Sequence, residues 1–108
     1  MEHSQAKHDV FQAIADPTRR SLLTLLADKE MSIVAITKHF PISRTAVIKH
    51  LHVLSLAGLV KSDRVGRETR YRLDPNPLVD LKDWLAFFEP YWDEKLLALK
   101  KFVESDND

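Results

Sequence analysis

The spacing of the apolar residues changes at Gly58, and this change limits the folds open to the chain. Up to Ala57 apolar positions recur every three or four residues, the period of a helix. LVKSDR and RETRYRL then read as two strands around a Val65-Gly66 turn. Thr69, Tyr71 and Leu73 point one way along the return strand, and Arg70 and Arg72 the other. Pro75-Asn76-Pro77 breaks the pattern, and helical spacing resumes at about Leu78. The expected fold is mainly α with a small β-hairpin. Only two glycines occur in 108 residues, which argues against turn-rich all-β folds and Gly-rich phosphate loops. The length fits one domain spanning 1–108.

Capping residues set the helix boundaries. Val10, Phe11 and Ile14 give helical spacing over about Lys7–Ala15. Asp16-Pro17 then reads as an N-cap and first helical position, with Leu22, Leu23, Leu25 and Leu26 as the buried stripe that follows. Arg19 and Arg20 on that helix are either solvated or close to phosphates. A short helix is expected over Met31–Phe40, capped by Ser32, with Ile33, Ile36 and Phe40 on one face and Pro41 ending it. Ser43 caps the next helix, and Gly58 closes it through a left-handed backbone. Two short helices joined by about three residues make a helix-turn-helix.

Charge marks one part of this frame. Ser43 to Val60 contains Arg44, Lys49, His50 and His52 but no Asp or Glu. A solvated helix face mixes both signs, so an acid-free face suggests a negative partner. Residues 1–37 hold 4 basic and 5 acidic side chains (net −1), 38–72 hold 8 and 2 (net +6), and 73–108 hold 4 and 9 (net −5). The overall net charge of zero hides a cationic middle third. Val47, Leu51 and Leu54 form the buried stripe of the Ser43 helix, and Arg44, Thr45, Ile48, Lys49 and His52 lie opposite. Lys61, Arg64, Arg67, Arg70 and Arg72 crowd onto the hairpin. A basic hairpin directly after a basic helix is a winged helix-turn-helix, suited to double-stranded DNA.

The last helix is expected from about Leu78 to Val103, kinked at Pro90, with the tail ESDND frayed. Leu78, Leu81, Leu85, Phe88, Trp92, Leu96, Leu99 and Val103 make one stripe, while Trp84, Phe87, Tyr91 and Phe102 fall outside it. A helix apolar on more than one side packs against more than its own domain, which points to a second subunit.

FQAIADPTRRSLLTLL, ISRTAVIKHLHVLSLAGLVKSDRVGRETRYRL and the following Asp74-Pro75 resemble the ArsR/SmtB family of bacterial transcriptional regulators. The likeness runs from about Val10 to Val103, and FPISRTAV with LKDWLAFFEPYW is more similar to the SdpR-like branch, which lacks metal ligands. The resemblance implies a homodimer that binds a palindromic operator and represses transcription. It implies a DNA-binding core over about 17–74 and dimerisation helices over about 7–15 and 78–104. Carried over by position, Ser43, Arg44, Thr45, Ile48 and Lys49 face DNA from the recognition helix, with Arg64, Arg67 and Arg70 on the wing. His52 is expected near phosphates, and His50 packed near the core with a hydrogen-bond partner. Val10, Phe11, Ile14, Leu81, Leu85, Phe88, Trp92 and Leu96 are expected at the subunit interface.

Two positions depart from the family pattern. Pro41 stands where a turn glycine is common, and Ile48 where a small polar residue is common; an isoleucine there can meet a thymine methyl. The family's metal sites would fall on Ser32 and Val34, and on Asp80-Leu81-Lys82, where Lys82 replaces a needed His. No metal response and no cofactor are expected, because transition metals want imidazole or thiolate and the chain has no Cys. No nucleophile elbow, His-x-x-x-His pair or phosphate loop is present, so no enzyme activity is expected. No apolar run is long enough for a membrane span, and a cytoplasmic protein is the expectation. Three readings stay open at this stage: a DNA-binding repressor, a winged helix used to bind protein, and a repressor released by a small molecule. The last differs from the first only in whether a ligand frees the operator.

Overall fold

A computed structural model describes residues 9–106. The Asp9 carboxylate accepts the Phe11 N–H at 3.2 Å and starts α1, Val10–Ala13. The expected helix start at Lys7 lies outside the described residues. Asp16 accepts the Arg19 N–H at 3.0 Å and starts α2, Pro17–Leu26, with Pro17 in its first turn. Leu22, Leu23 and Leu26 are buried, whereas Leu25, expected with them, is half-buried.

The helix expected over Met31–Phe40 is shorter at both ends. Met31–Ser32 is a strand, β1, and α3 covers only Ile33–Thr37. The cap itself explains the later start. Ser32 must be extended (φ −75°, ψ 160°) for its hydroxyl to accept the Ala35 N–H at 3.2 Å. That extended backbone lets Met31 and Ser32 pair with Tyr71 and Arg70. The sheet therefore has three antiparallel strands, with β1 beside the return strand of the hairpin.

Ser43 caps α4, Arg44–Leu56, through the Ala46 N–H at 3.1 Å. Its end is a Schellman closure. Gly58 has φ +78°, its N–H meets the Ser55 carbonyl, and the Leu59 N–H meets the Leu54 carbonyl, both at 3.0 Å. Strands β2, Val60–Val65, and β3, Glu68–Leu73, follow. The expected Val65-Gly66 turn shifts by one residue: Val65 pairs with Glu68, leaving Gly66-Arg67 as the loop. Gly66 takes φ +65° at the first loop position, where a two-residue hairpin of the II′ kind needs glycine.

One buried cluster joins Val10, Leu22, Leu26, Ile36, Val47, Leu51, Leu54, Leu59 and Val60. Tyr71 and Leu73 pack against it from β3, and Leu78 from the start of the last helical region. That region is two helices rather than one kinked rod. α5 spans Leu78–Phe87 and α6 spans Glu89–Asp106, with Phe88 between them. Pro90 thus sits in the first turn of α6, where a missing N–H costs little. The Phe88 N–H bonds to the Leu85 carbonyl at 3.0 Å and faces the Ala86 carbonyl that Pro90 cannot serve. Helix α6 continues through Glu104 and Ser105, which were expected to fray; Asn107 and Asp108 lie outside the described residues.

Every described side chain from Glu89 to Ser105 is exposed. The radius of gyration is 18.2 Å, against about 13 Å for a compact chain of this length. Within one chain, α6 has little to pack against.

Candidate nucleic-acid interface

Helices α3 and α4, joined through Pro41, form the helix-turn-helix. Burial of Val47, Leu51 and Leu54 orients α4 and decides its outer face. Ser43, Arg44, Thr45, Ile48, Lys49 and His52 are all exposed, as the acid-free pattern predicts. Leu56, which the sequence reading did not pick out, is 47% exposed. It lies eleven residues after Thr45, three helical turns along the same face. Ile48, 41% exposed, is an apolar side chain in the middle of this cationic strip. The N-terminal turn of α4 adds its positive dipole end to Arg44, which favours phosphate oxygens nearby.

The hairpin is less cationic in effect than its composition suggests. Arg70 donates to Glu68 at 2.8 Å and to Glu30 at 3.2 Å. Lys61 lies 3.9 Å from Asp74, and Arg72 lies 3.7 Å from Asp63. Arg64 and Arg67 take part in none of the ion pairs among the described residues. Arg67 lies in the turn and Arg64 near the end of β2, and they carry the free charge of the wing. Arg70, singled out from sequence with them, instead braces β3 to the segment before β1.

Arg20 is exposed, in line with the solvated expectation, and Arg19 is half-buried. Both turn toward the end of α1. Arg19 Nε donates to the Ala13 carbonyl at 2.6 Å, Arg19 Nη2 to Gln12 at 3.3 Å, and Arg20 Nη1 to Ile14 at 2.8 Å. The last carbonyls of a helix lack amide partners, and guanidinium donors satisfy them while opposing the negative dipole end. Arg19 Nη1 also lies 3.4 Å from His50 Nδ1, so His50 has the partner expected of it. His52, two residues on, is exposed and points elsewhere.

Asp16 completes this cluster, its carboxylate 3.9 Å from His50 Nδ1. The Arg19 backbone N–H holds the Asp16 carboxyl below its ordinary value of 3.8; partial desolvation works against this and a charged His50 works with it. A lowered folded value means that Asp16 contributes stability above pH 3.8, lost as pH falls through the folded value. Asp16→Ala is expected to lower stability at pH 7 by about 0.5–2 kcal/mol, the usual worth of an N-cap. Thermal unfolding at pH 7 and pH 3 checks this, because the gap between variant and parent should shrink at the lower pH.

The expected subunit-interface residues divide. Val10 is 4% exposed and belongs to the core of its own chain, because α1 packs on α5. Phe11, Ile14, Leu81, Leu85 and Phe88 are half-buried, and Trp92 and Leu96 are exposed. Edge-to-face aromatic contacts run from Phe11 to Trp84 (5.5 Å), Trp84 to Phe88 (5.2 Å) and Phe88 to Phe87 (5.1 Å). Trp84 and Phe87, off the expected stripe, are more exposed than Phe88 within it. Among the described residues no three His, Cys, Asp or Glu side chains gather as a metal site. None of the described helices is long and apolar enough to cross a membrane.

A helix-turn-helix with an exposed cationic second helix, followed by a charged hairpin, defines a winged-helix DNA-binding protein. Comparison with known proteins agrees. Residues 14–63 match a helix-turn-helix domain family. The chain is 37% identical over 81 residues to the transcriptional repressor SdpR of Bacillus subtilis, covering 75% of this chain and 90% of that protein. It is 34% identical over 98 residues to the HTH-type transcriptional regulator Rv2034 of Mycobacterium tuberculosis, covering 91% and 89%. An ArsR-like transcriptional regulator from Rhodococcus sp. RHA1 superposes with a TM-score of 0.67 at 37% identity, covering 93% and 95%. The chain belongs to the ArsR/SmtB family of winged-helix transcriptional regulators and is a DNA-binding regulator, not an enzyme.

Proposed function

We propose that the protein is a cytoplasmic homodimer that binds a palindromic operator in double-stranded DNA and represses transcription, including that of its own gene. The observation that carries this reading is the outer face of α4, where Arg44, Thr45, Ile48, Lys49 and His52 are exposed together with no acid among them. In this reading α4 enters the major groove, Lys49, Arg64 and Arg67 neutralise phosphates, and Arg44 and Thr45 meet base edges. The DNA-binding core runs over about 17–74 within a single domain.

The exposed apolar surface of α6 supports the dimer, because a monomer would leave Trp92, Leu96, Leu99 and Phe102 in water. A two-fold pair would present two recognition helices roughly 34 Å apart, one turn of DNA. The repressor named among its relatives supports the direction of control. A winged helix used only for protein binding would keep the fold without needing a positive docking face, and the net charge of +6 over residues 38–72 favours DNA over that alternative.

Fluorescence anisotropy tests the reading, with DNA from upstream of the protein's own gene, random DNA and a salt series. Tight binding to the upstream DNA alone, falling steeply with salt, is the expected outcome. A folded dimer that binds neither DNA at low salt would leave the protein-interaction reading.

A further inference from the structure

The Asp16–Arg19–His50 cluster lies on none of the surfaces assigned to DNA or to a second subunit, yet it touches three helices. Arg19 reaches the Gln12 and Ala13 carbonyls at the end of α1, belongs to α2, and meets His50 on α4. His50 is half-buried on the flank of α4, between the core stripe and the DNA-facing strip. Asp16 fixes the other side, capping the Arg19 backbone N–H while lying 3.9 Å from the same His50 nitrogen. Charge-assisted bonds to carbonyl groups are strong and directional, and a planar guanidinium can serve several acceptors at once. The neighbouring Arg20 makes only the shorter connection, to Ile14.

We infer that Arg19 is a positioning residue for DNA recognition. Its guanidinium ties the flank of the recognition helix, through His50, to the end of α1, and so fixes the angle at which α4 is held relative to the subunit interface. The inference rests on the dimeric-operator reading, since an angle set in one subunit matters most when two helices must reach two half-sites. Packing of Val47, Leu51 and Leu54 keeps α4 in place against translation. The tether restricts rolling of the helix about that apolar stripe.

The test is affinity for an operator with its half-sites at the native separation, and with one base pair added or removed. One base pair shifts a half-site by about 3.4 Å and rotates it by about 35°. Wild type should lose roughly ten- to a hundredfold in affinity on either change, because both halves can no longer be engaged at once. Arg19→Met should bind the native operator more weakly, and its losses on the altered operators should shrink to a few-fold. His50→Ala, which leaves Arg19 on its carbonyls, should give the same flattening in a protein that keeps the α1 cap. It carries the test if Arg19→Met does not fold. Arg20→Met loses a cap on α1 but not the link to α4, so its spacing dependence should match wild type.

Equal weakening of Arg19→Met at all three separations, with His50→Ala as sharp as wild type, would reduce Arg19 to a structural role and overturn the inference. A wild-type protein that binds as a monomer, or ignores separation, would remove the dimeric-operator reading and the inference with it. Sedimentation of the protein–DNA complex separates these two failures.

Discussion

Replacing Trp92 and Leu96 by alanine is expected to dissociate the proposed dimer while leaving each chain folded. Both side chains are exposed in the single chain, at 39% and 62%, so their removal opens no cavity in its core. Large apolar anchors at an interface commonly contribute about 2 kcal/mol or more each, and a two-fold interface loses every anchor twice. The double variant should therefore raise the dimer dissociation constant by about 10⁵-fold if the losses add. Operator affinity should fall with it, because two half-sites joined through one dimer lose their mutual advantage. Sedimentation equilibrium measures the first effect, and anisotropy on the full operator the second. An unchanged monomer–dimer equilibrium would place the interface elsewhere.

Arg44→Ala is expected to weaken binding to the preferred DNA by about 1–3 kcal/mol, roughly 5- to 150-fold. Arg44 opens α4, is exposed, and takes part in none of the ion pairs among the described residues. Its guanidinium is free to form a bidentate contact with a base edge. The loss should be much smaller on random DNA, since a base contact made on one sequence is missing on others. An equal loss on both DNAs would make Arg44 a phosphate contact instead. Core packing is not at stake, because Val47 and Leu51 hold α4 from the opposite side.

Most of the helix-turn-helix was legible in the sequence because local rules set it. Asp16, Ser32 and Ser43 cap the helices at the positions their chemistry demands, and Gly58 takes the left-handed backbone that closes α4. The outer face of α4 follows from the same logic: once the Val47, Leu51 and Leu54 stripe is buried, the helical period leaves Arg44, Thr45, Ile48, Lys49 and His52 outside. Leu56 escaped notice because it is apolar, although the period that exposes Lys49 and His52 exposes it too.

Other features depend on partners distant in the chain, which local pattern does not encode. Strand β1 exists because the extended cap at Ser32 finds Arg70 in β3, 38 residues later. Composition counted five cations on the hairpin, but only the register of β2 against β3 and the nearness of Glu30 decide which of them are neutralised. The family resemblance implies Val10 at the subunit interface, yet α1 folds onto its own core and buries it. The sequence by itself determined where α2 and α4 begin, where α4 ends and which face of α4 is cationic, because caps and a 3.6-residue period act within a few residues. Only the tertiary structure decided that Arg19 reaches His50 and that Arg64 and Arg67 keep free charge, because those outcomes depend on distances between segments that meet only when the chain is folded.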